Sequence, residues 1–366
     1  MNVVIAGGGT AGHVFPAIAL AQELADAGHE TTFLGTADGL EGRLVGEAGL
    51  PFVAIEAAPL TRRASATLAR APFVALRSVG SCRPHVARAD VVVGMGGYVS
   101  VPPVLAARRE RTPIVLHEQN AVPGLANRAL ARGARTVALS FADAASHLPR
   151  GVRTSITGNP VRARILEVSA RREALRAEAL DALDLEAGRA TVLVFGGSLG
   201  ALHLNRTVAS ALGHLRERGD LQVLILTGPR HVDVVGAAAS EVMPLRVRVL
   251  PFLDRMEFAY AVADAAVARA GATSIAELTV CGLASILVPY PHATANHQEA
   301  NARALERAGA AIVVADADLD AGDLAARIAR LVDDAPGRAS MAARATAWSR
   351  PGAAAALASV VTGASA

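Results

Sequence analysis

Lysine is missing from this sequence: all 36 basic residues are arginine, and they face 33 acids for a formal net charge of +3. That net charge is small, and no nucleic-acid partner is expected. Aromatic residues make up 3% of the chain, with one tryptophan, and much of the 52% that is hydrophobic is Ala and Val. The Ala and Arg bias carries no functional information by itself. The two cysteines, Cys82 and Cys281, stand far apart without metal-ligand spacing, which points to a reduced compartment. The N-terminus runs directly into an apolar strand, with no basic n-region, so no signal peptide is expected. A run of 17 uncharged residues, 91–107, is broken by Gly94, Gly96, Gly97, Pro102 and Pro103. It falls short of the ~20 residues of a membrane span and reads as a buried strand, a glycine loop and a helix start.

What is present is alternation. Short apolar runs at 3–6, 31–34, 52–55, 91–93, 114–116, 136–139 and 155–157 are separated by longer amphipathic stretches, the pattern of βαβ crossovers in a parallel sheet. The pattern pauses at Gly158-Asn159-Pro160, passes through a helical segment at 162–185, and restarts at 191–195, 221–226, 247–250, 265–268, 285–288 and 311–314. At 366 residues the chain suits two domains. The expected boundaries are 1–160 and 161–350. A short helix at about 351–366, after the break at Arg350-Pro351-Gly352, is assigned to the first domain. Residues 1–158 hold 15 Arg against 11 acids (+4), and 159–366 hold 21 against 22 (−1), so the first half is the better candidate for a negative partner.

Three glycine loops follow strands: Gly7-Gly8-Gly9-Thr10-Ala11-Gly12-His13, Gly94-Met95-Gly96-Gly97-Tyr98 and Gly196-Gly197-Ser198-Leu199-Gly200. Glycines let backbone amides approach a phosphate, and a helix N-terminus adds partial positive charge. The first loop also fits G-x-G-x-x-G, the dinucleotide fingerprint. A nicotinamide site needs an acid at the end of the next strand, where Leu34 is followed instead by Gly35 and Thr36, with Asp38 beyond. The stretch Arg269-Ala270-Gly271-Ala272-Thr273-Ser274-Ile275-Ala276-Glu277 opens a helix with small residues that offer amides to a diphosphate. Glu277 lies within reach of ribose hydroxyls, and Gln298 and Asn301 can read sugar hydroxyls. Taken alone, Ser274 reads as a helix cap and Glu277 as an acid complementing the helix dipole.

Together with His117-Glu118-Gln119-Asn120 and Gly158-Asn159-Pro160-Val161-Arg162, these motifs resemble the MurG family of peptidoglycan N-acetylglucosaminyltransferases, in the GT-B superfamily, over nearly the whole chain. The resemblance implies an α/β fold of two Rossmann-like parallel-sheet domains facing across a cleft. It implies inverting transfer of GlcNAc from UDP-GlcNAc to the C4 hydroxyl of the MurNAc of lipid I (undecaprenyl-diphosphate-MurNAc-pentapeptide), giving lipid II, with no cofactor. Thr10, Ala11, Gly12 and Asn120 are then donor contacts, with Asn120 at the GlcNAc. Arg162 and Ser198 act near the diphosphate, and Leu253 holds uracil through its backbone. Ala272, Thr273, Ser274, Ile275 and Ala276 cradle the diphosphate, Glu277 binds the ribose, and Gln298 with Asn301 binds the sugar. Gly9, Gly96, Gly97 and Tyr98 face the acceptor diphosphate. Leu199 stands where many relatives have Gln, and Ala284 where Pro is frequent.

An inverting transfer needs a base for the acceptor hydroxyl, and His13 and Glu118 are joint candidates. His117 reads as a packing residue. No Asp-x-Asp pair stands near the donor motif, so catalysis without metal is expected. Between Glu56 and Asp90 there is no acid, while Arg62, Arg63, Arg70, Arg77, Arg83 and Arg88 mix with apolar residues. Segment 60–88 is therefore expected to attach peripherally to an anionic membrane, which the family resemblance puts at the cytoplasmic face. Other cell-wall synthesis proteins are further candidate contacts. The competing readings are a UDP-GlcNAc epimerase or hydrolase of the same fold, and an NAD-dependent oxidoreductase.

Overall fold

The computed structural model describes residues 1–57 and 77–365. The chain divides into two compact units, Met1–Arg162 with Arg350–Ala366, and Ala163–Ser349. Unit 1 contains β1 (Asn2–Ala6), α1 (Ala11–Asp26), β2 (Glu30–Gly35), α2 (Leu40–Glu47) and β3 (Phe52–Ala54). It continues with α3 (77–86), β4 (Val91–Gly94), α4 (Val101–Glu110), β5 (Ile114–Glu118), α5 (Leu125–Leu130), β6 (Thr136–Leu139) and β7 (Thr154–Ile156). Unit 2 contains α6 (Ala163–Ala182), β8 (Ala190–Phe195), α7 (Leu202–Leu215), β9 (Leu221–Leu226), α8 (Val232–Ser240), β10 (Arg246–Leu250) and α9 (Met256–Val262). After these come β11 (Ala265–Ala268), α10 (Ala272–Val280), β12 (Ala284–Leu287), α11 (His297–Arg307), β13 (Ile312–Val313), α12 (Ala321–Asp333) and α13 (Ala335–Trp348). The last helix, α14 (Ala353–Gly363), returns to unit 1.

Among the described residues, unit 1 forms a parallel sheet in the order β3-β2-β1-β4-β5-β6-β7, and unit 2 one in the order β10-β9-β8-β11-β12-β13. Both are doubly wound about their first strand, the Rossmann arrangement. Their central strands read as continuous apolar runs because helices cover both faces. In β1, Val3 and Ile5 pack into one core with Val14, Leu20 and Leu24 of α1, while Val4 and Ala6 pack into another with Val104, Leu116 and Leu139. Leu357 and Val361 of α14 lie in the first of these cores, beside α1. Unit 2 has its own core, drawn from β8, β9, β11, β12, α7 and α12.

The expected helical segment at 162–185 is α6, which bends where Arg171 leaves helical geometry (φ −121°, ψ 20°). Two arginines on α6 secure the helix ends packed against it. Arg172 donates to the carbonyls of Tyr260 (3.1 Å), Ala263 (3.2 Å) and Cys281, and Arg176 donates to Val262 O and pairs with Asp264 at 3.2 Å. These carbonyls end α9 and α10, where a cation complements the helix dipole.

Candidate active site

In a doubly wound sheet, ligands bind beyond the strand C-termini at the point where strand order reverses. In unit 1 that point lies between β1 and β4, and it brings together two of the glycine loops. Gly9, Gly96 and Gly97 have φ of 81°, 91° and 75°, which favour glycine. A Cβ on Gly97 would stand 2.6 Å from the Gly8 carbonyl and 3.4 Å from His13 Nδ1, and one on Gly96 would stand 3.1 Å from His13 Cδ2. The His13 imidazole therefore lies directly against the Gly96-Gly97 backbone, half-buried, with Nδ1 2.9 Å from Thr10 Oγ1. Tyr98 places its ring edge on Gly9. Thr10 forms the N-cap of α1, and its carbonyl accepts from the amides of His13 and Val14. Arg162 stacks over Phe15 of α1, 4.2 Å from the ring centroid.

At the end of β5, the four residues of the His-Glu-Gln-Asn motif divide the work. His117 is fully buried, with Nε2 donating to Gly158 O (3.0 Å) and Nδ1 accepting from Gln119 Nε2 (3.1 Å). Those partners fix a neutral ring, and burial pushes its pKa down to about 4. Gln119 also donates to Met95 O at 2.6 Å, tying β5 to the second glycine loop. Glu118 is 2% exposed and accepts four hydrogen bonds. Oε1 takes Asn120 N (2.9 Å) and Asn120 Nδ2 (3.3 Å), and Oε2 takes Gly124 N (3.0 Å) and Asn127 Nδ2 (2.8 Å). Burial raises its pKa and these donors oppose the rise. A carboxylate so enclosed orients Asn120 and the following turn.

In unit 2 the reversal lies between β8 and β11, and α10 opens there. Gly271 caps the helix in an extended conformation (φ −64°, ψ 141°), and the Ile275 amide bonds the Gly271 carbonyl at 2.9 Å. Amides from Ile275 onward thus belong to the helix ladder. Glu277, one turn on and 5% exposed, accepts at Oε2 from the Tyr260 hydroxyl at 2.8 Å. Tyr260 is fully buried on α9, edge-on to Phe195 of β8 at 6.1 Å. Gln298 is half-buried, and its Oε1 accepts from the Tyr290 amide at 2.9 Å. Leu253 is half-buried in the loop between β10 and α9. Ser198 is exposed in the loop after β8, as is Leu199 at 67%. Ala284 opens β12 and is buried, paired with Ala265.

Three expectations need correction. Asn301 does not present its amide to a sugar: it is fully buried and donates to Ala270 O at 3.1 Å, holding the turn before α10. The Gly9 amide does not await a phosphate, because it donates to Glu41 Oε2 at 3.1 Å. An Asp-x-Asp spacing does occur, at Asp316 and Asp318, and folding carries Asp316 to the donor motif. There its carboxylate pairs with Arg269 at 2.5 Å and with His203 Nδ1 at 3.0 Å. Arg269, 5% exposed, also donates to the carbonyls of Val288 and Pro289, both at 3.1 Å, and so fixes the loop leading to Tyr290. Sequence reasoning gave Arg269, Tyr260 and Glu41 no role.

Residues 60–76 of segment 60–88 lie outside the described residues. Of its described arginines, Arg77 pairs with Glu56 at 3.5 Å and Arg83 with Glu110 at 2.5 Å. Among the described residues no helix is long and apolar enough to cross a membrane.

The profile of the glycosyltransferase family 28 N-terminal domain matches residues 3–139, and that of the family's C-terminal domain matches 191–357. A protein of Halothermothrix orenii is 43% identical over 343 residues, covering 91% of each chain. The chain belongs to glycosyltransferase family 28. That relative is named UDP-N-acetylglucosamine--N-acetylmuramyl-(pentapeptide) pyrophosphoryl-undecaprenol N-acetylglucosamine transferase. A protein of the same name from Nocardioides sp. is 43% identical over 352 residues, covering 95% of this chain and 93% of its own. The crystal structure of MurG from Acinetobacter baumannii superposes with a TM-score of 0.77 at 29% identity, over 99% of both chains. The two parallel sheets are thus those of the GT-B class, within which the family 28 chain falls. A UDP-GlcNAc 2-epimerase from Neisseria meningitidis shares that fold at a TM-score of 0.71 but only 12% identity.

Proposed function

We propose that this family 28 chain transfers GlcNAc from UDP-GlcNAc to the C4 hydroxyl of the MurNAc of lipid I, forming lipid II with inversion at the anomeric carbon. The observation that carries the reading is α10. Its first amides, at Ala272, Thr273 and Ser274, and the Glu277 carboxylate one turn later give one helix the two groups that a nucleoside diphosphate requires: a phosphate cradle and a ribose acceptor. Unit 2 is accordingly the donor unit, with Leu253 at uracil, Ser198 at the diphosphate and Gln298 at the sugar. Unit 1, with Gly96, Gly97 and Tyr98, is the acceptor unit, and Asn120 reaches the GlcNAc.

In the transfer, the acceptor oxygen attacks the anomeric carbon from the face opposite the diphosphate. The C1–O bond to the β-phosphate breaks as the new glycosidic bond forms. His13, donating its Nδ1 proton to Thr10 Oγ1, takes the hydroxyl proton at Nε2. The charge that develops on the leaving UDP is met by the α10 amides and by Arg162. Glu118 acts on Asn120 and does not receive the proton. The enzyme works as a peripheral protein on the cytoplasmic face of the membrane, attached through segment 60–88.

The test is transfer from radiolabelled UDP-GlcNAc to a lipid I analogue, with EDTA present. Labelled lipid product is expected. UDP release without transfer would identify a hydrolase, and conversion of the free donor an epimerase. His13→Gln should lower kcat by about 10²- to 10⁴-fold, the range for loss of a general base, with donor KM little changed. Wild-type kcat in that variant would remove His13 from the mechanism.

A further inference from the structure

Gly8, Gly35 and Gly39 share a feature that the transfer reaction does not use: each lies against Glu41. A Cβ on Gly8 would stand 2.5 Å from Glu41 Cδ, one on Gly35 2.7 Å from Cγ, and one on Gly39 2.5 Å from Oε1. Glu41 is on the first turn of α2, and its relative exposure is 0%. Its carboxylate accepts from the Gly9 amide at Oε2 (3.1 Å), and from the Thr36 amide (3.1 Å) and Thr36 hydroxyl at Oε1. Burial pushes its pKa up, yet these donors and its own backbone amide outweigh burial and hold it below the ordinary carboxylate value. An enclosed, ionised carboxylate ringed by glycines and backbone amides matches the environment that a glycine-rich strand–helix turn builds for a phosphate.

We propose that Glu41 is a built-in anion: it fills the place in the first glycine loop that a dinucleotide-binding turn gives to phosphate, and in holding Gly9 it positions Thr10 and His13. Its position also accounts for the missing acid after β2. A dinucleotide enzyme puts a carboxylate there to grip the ribose; here the acid arrives seven residues after Leu34 and grips the loop itself. The turn thereby rejects soluble phosphate and becomes a fixed mount for the imidazole, which lies against Gly96 and Gly97 on its other side. Glu41 touches no reacting atom and is a positioning residue. The positioning half of this inference rests on His13 acting in the transfer; the built-in anion does not.

The experiment uses the full chain with Glu41→Ala, which keeps the three donors and removes the carboxylate, and probes it with sodium formate against sodium chloride at equal ionic strength. Expected are a kcat lower by about ten- to hundred-fold, as for a misplaced catalytic group, and a UDP-GlcNAc KM within about two-fold of the wild type. Formate should raise the Tm of the variant, but not of the wild type, and restore part of kcat; chloride should do neither. Wild-type kcat in Glu41→Ala, or a Tm indifferent to formate, would overturn the proposal. Should Glu41→Ala fail to fold, Glu41→Asp serves: its carboxylate is withdrawn by one methylene, so kcat should drop at least about ten-fold at unchanged donor KM. Wild-type kcat there would equally overturn it. If formate stabilises Glu41→Ala while His13→Gln keeps the wild-type rate, the base assignment fails and the built-in anion stands.

Discussion

Tyr260 presents the Glu277 carboxylate through one buried hydrogen bond of 2.8 Å. A hydrogen bond to a charged acceptor contributes about 1.5–3 kcal/mol, and with Glu277 at the ribose as proposed, its loss lets the carboxylate turn away from the hydroxyl it binds. Tyr260→Phe should therefore raise the KM for UDP-GlcNAc by roughly ten-fold with kcat nearly unchanged. Steady-state kinetics with a 2′,3′-dideoxyribose donor should show that difference collapse, and an equal penalty with both donors would assign Tyr260 to packing alone. His117 gives a pH prediction. Its folded pKa of about 4 lies below the ordinary 6.5. On acidification the unfolded chain takes up the proton first, so stability is complete above about pH 6.5 and falls steadily towards pH 4, by on the order of 3 kcal/mol from this group. Thermal unfolding across that range should show a flatter acid limb in His117→Asn. At this scale the sequence was only partly legible. Spacing identified Glu277, Gln298 and His13 as polar groups near a turn, but spacing cannot say which way a buried amide faces. Asn301 was therefore read as a sugar contact when it holds Ala270 O. Glu41 escaped notice because the search for an acid stopped at the end of β2, and the acid returns from the next helix.

The strands were legible because parallel strands buried on both faces leave uninterrupted apolar runs, as in the Val91–Gly94 and Leu221–Leu226 segments. Helix ends were less so, since amide use depends on where the first helical bond closes, at Ile275 in α10. The break at Arg350-Pro351-Gly352 did mark a new helix, and packing explains its destination. Leu357 and Val361 of α14 are fully buried in the core that also holds Ile5, Val14 and Leu24. Each such side chain contributes about 1.5–3 kcal/mol. Truncation after Arg350 should accordingly lower the stability of unit 1 by several kcal/mol, read as faster hydrogen exchange in β1 and α1. Exchange in β8 and β11 should change little, because unit 2 has its own core. Uniform loss of protection in both units would contradict this account.

Across the whole molecule, charge is divided: the arginine surplus of +4 lies in residues 1–158, against −1 in the remainder. If segment 60–88 is the membrane contact, flotation with anionic vesicles should recover the protein, and reversing Arg62, Arg63 and Arg70 to Glu should release it. With roughly 1 kcal/mol per arginine near the surface, the loss should exceed a hundred-fold in partition and shrink at high salt. Recovery equal to the wild type would reject the segment. The two-unit plan and its boundary near 160 could be expected from the pause in the strand–helix rhythm; the hydrogen bonds that fix each loop could not, because spacing does not say which way a side chain faces. The return of α14 to unit 1 has a consequence for synthesis. On the ribosome unit 1 is the first to emerge and the last to be complete, because its closing helix comes after all of unit 2. At ~5–20 residues per second, α1 and β1 wait roughly twenty to seventy seconds for the helix that covers them. During that interval the nascent chain carries a complete unit 2 and an open unit 1.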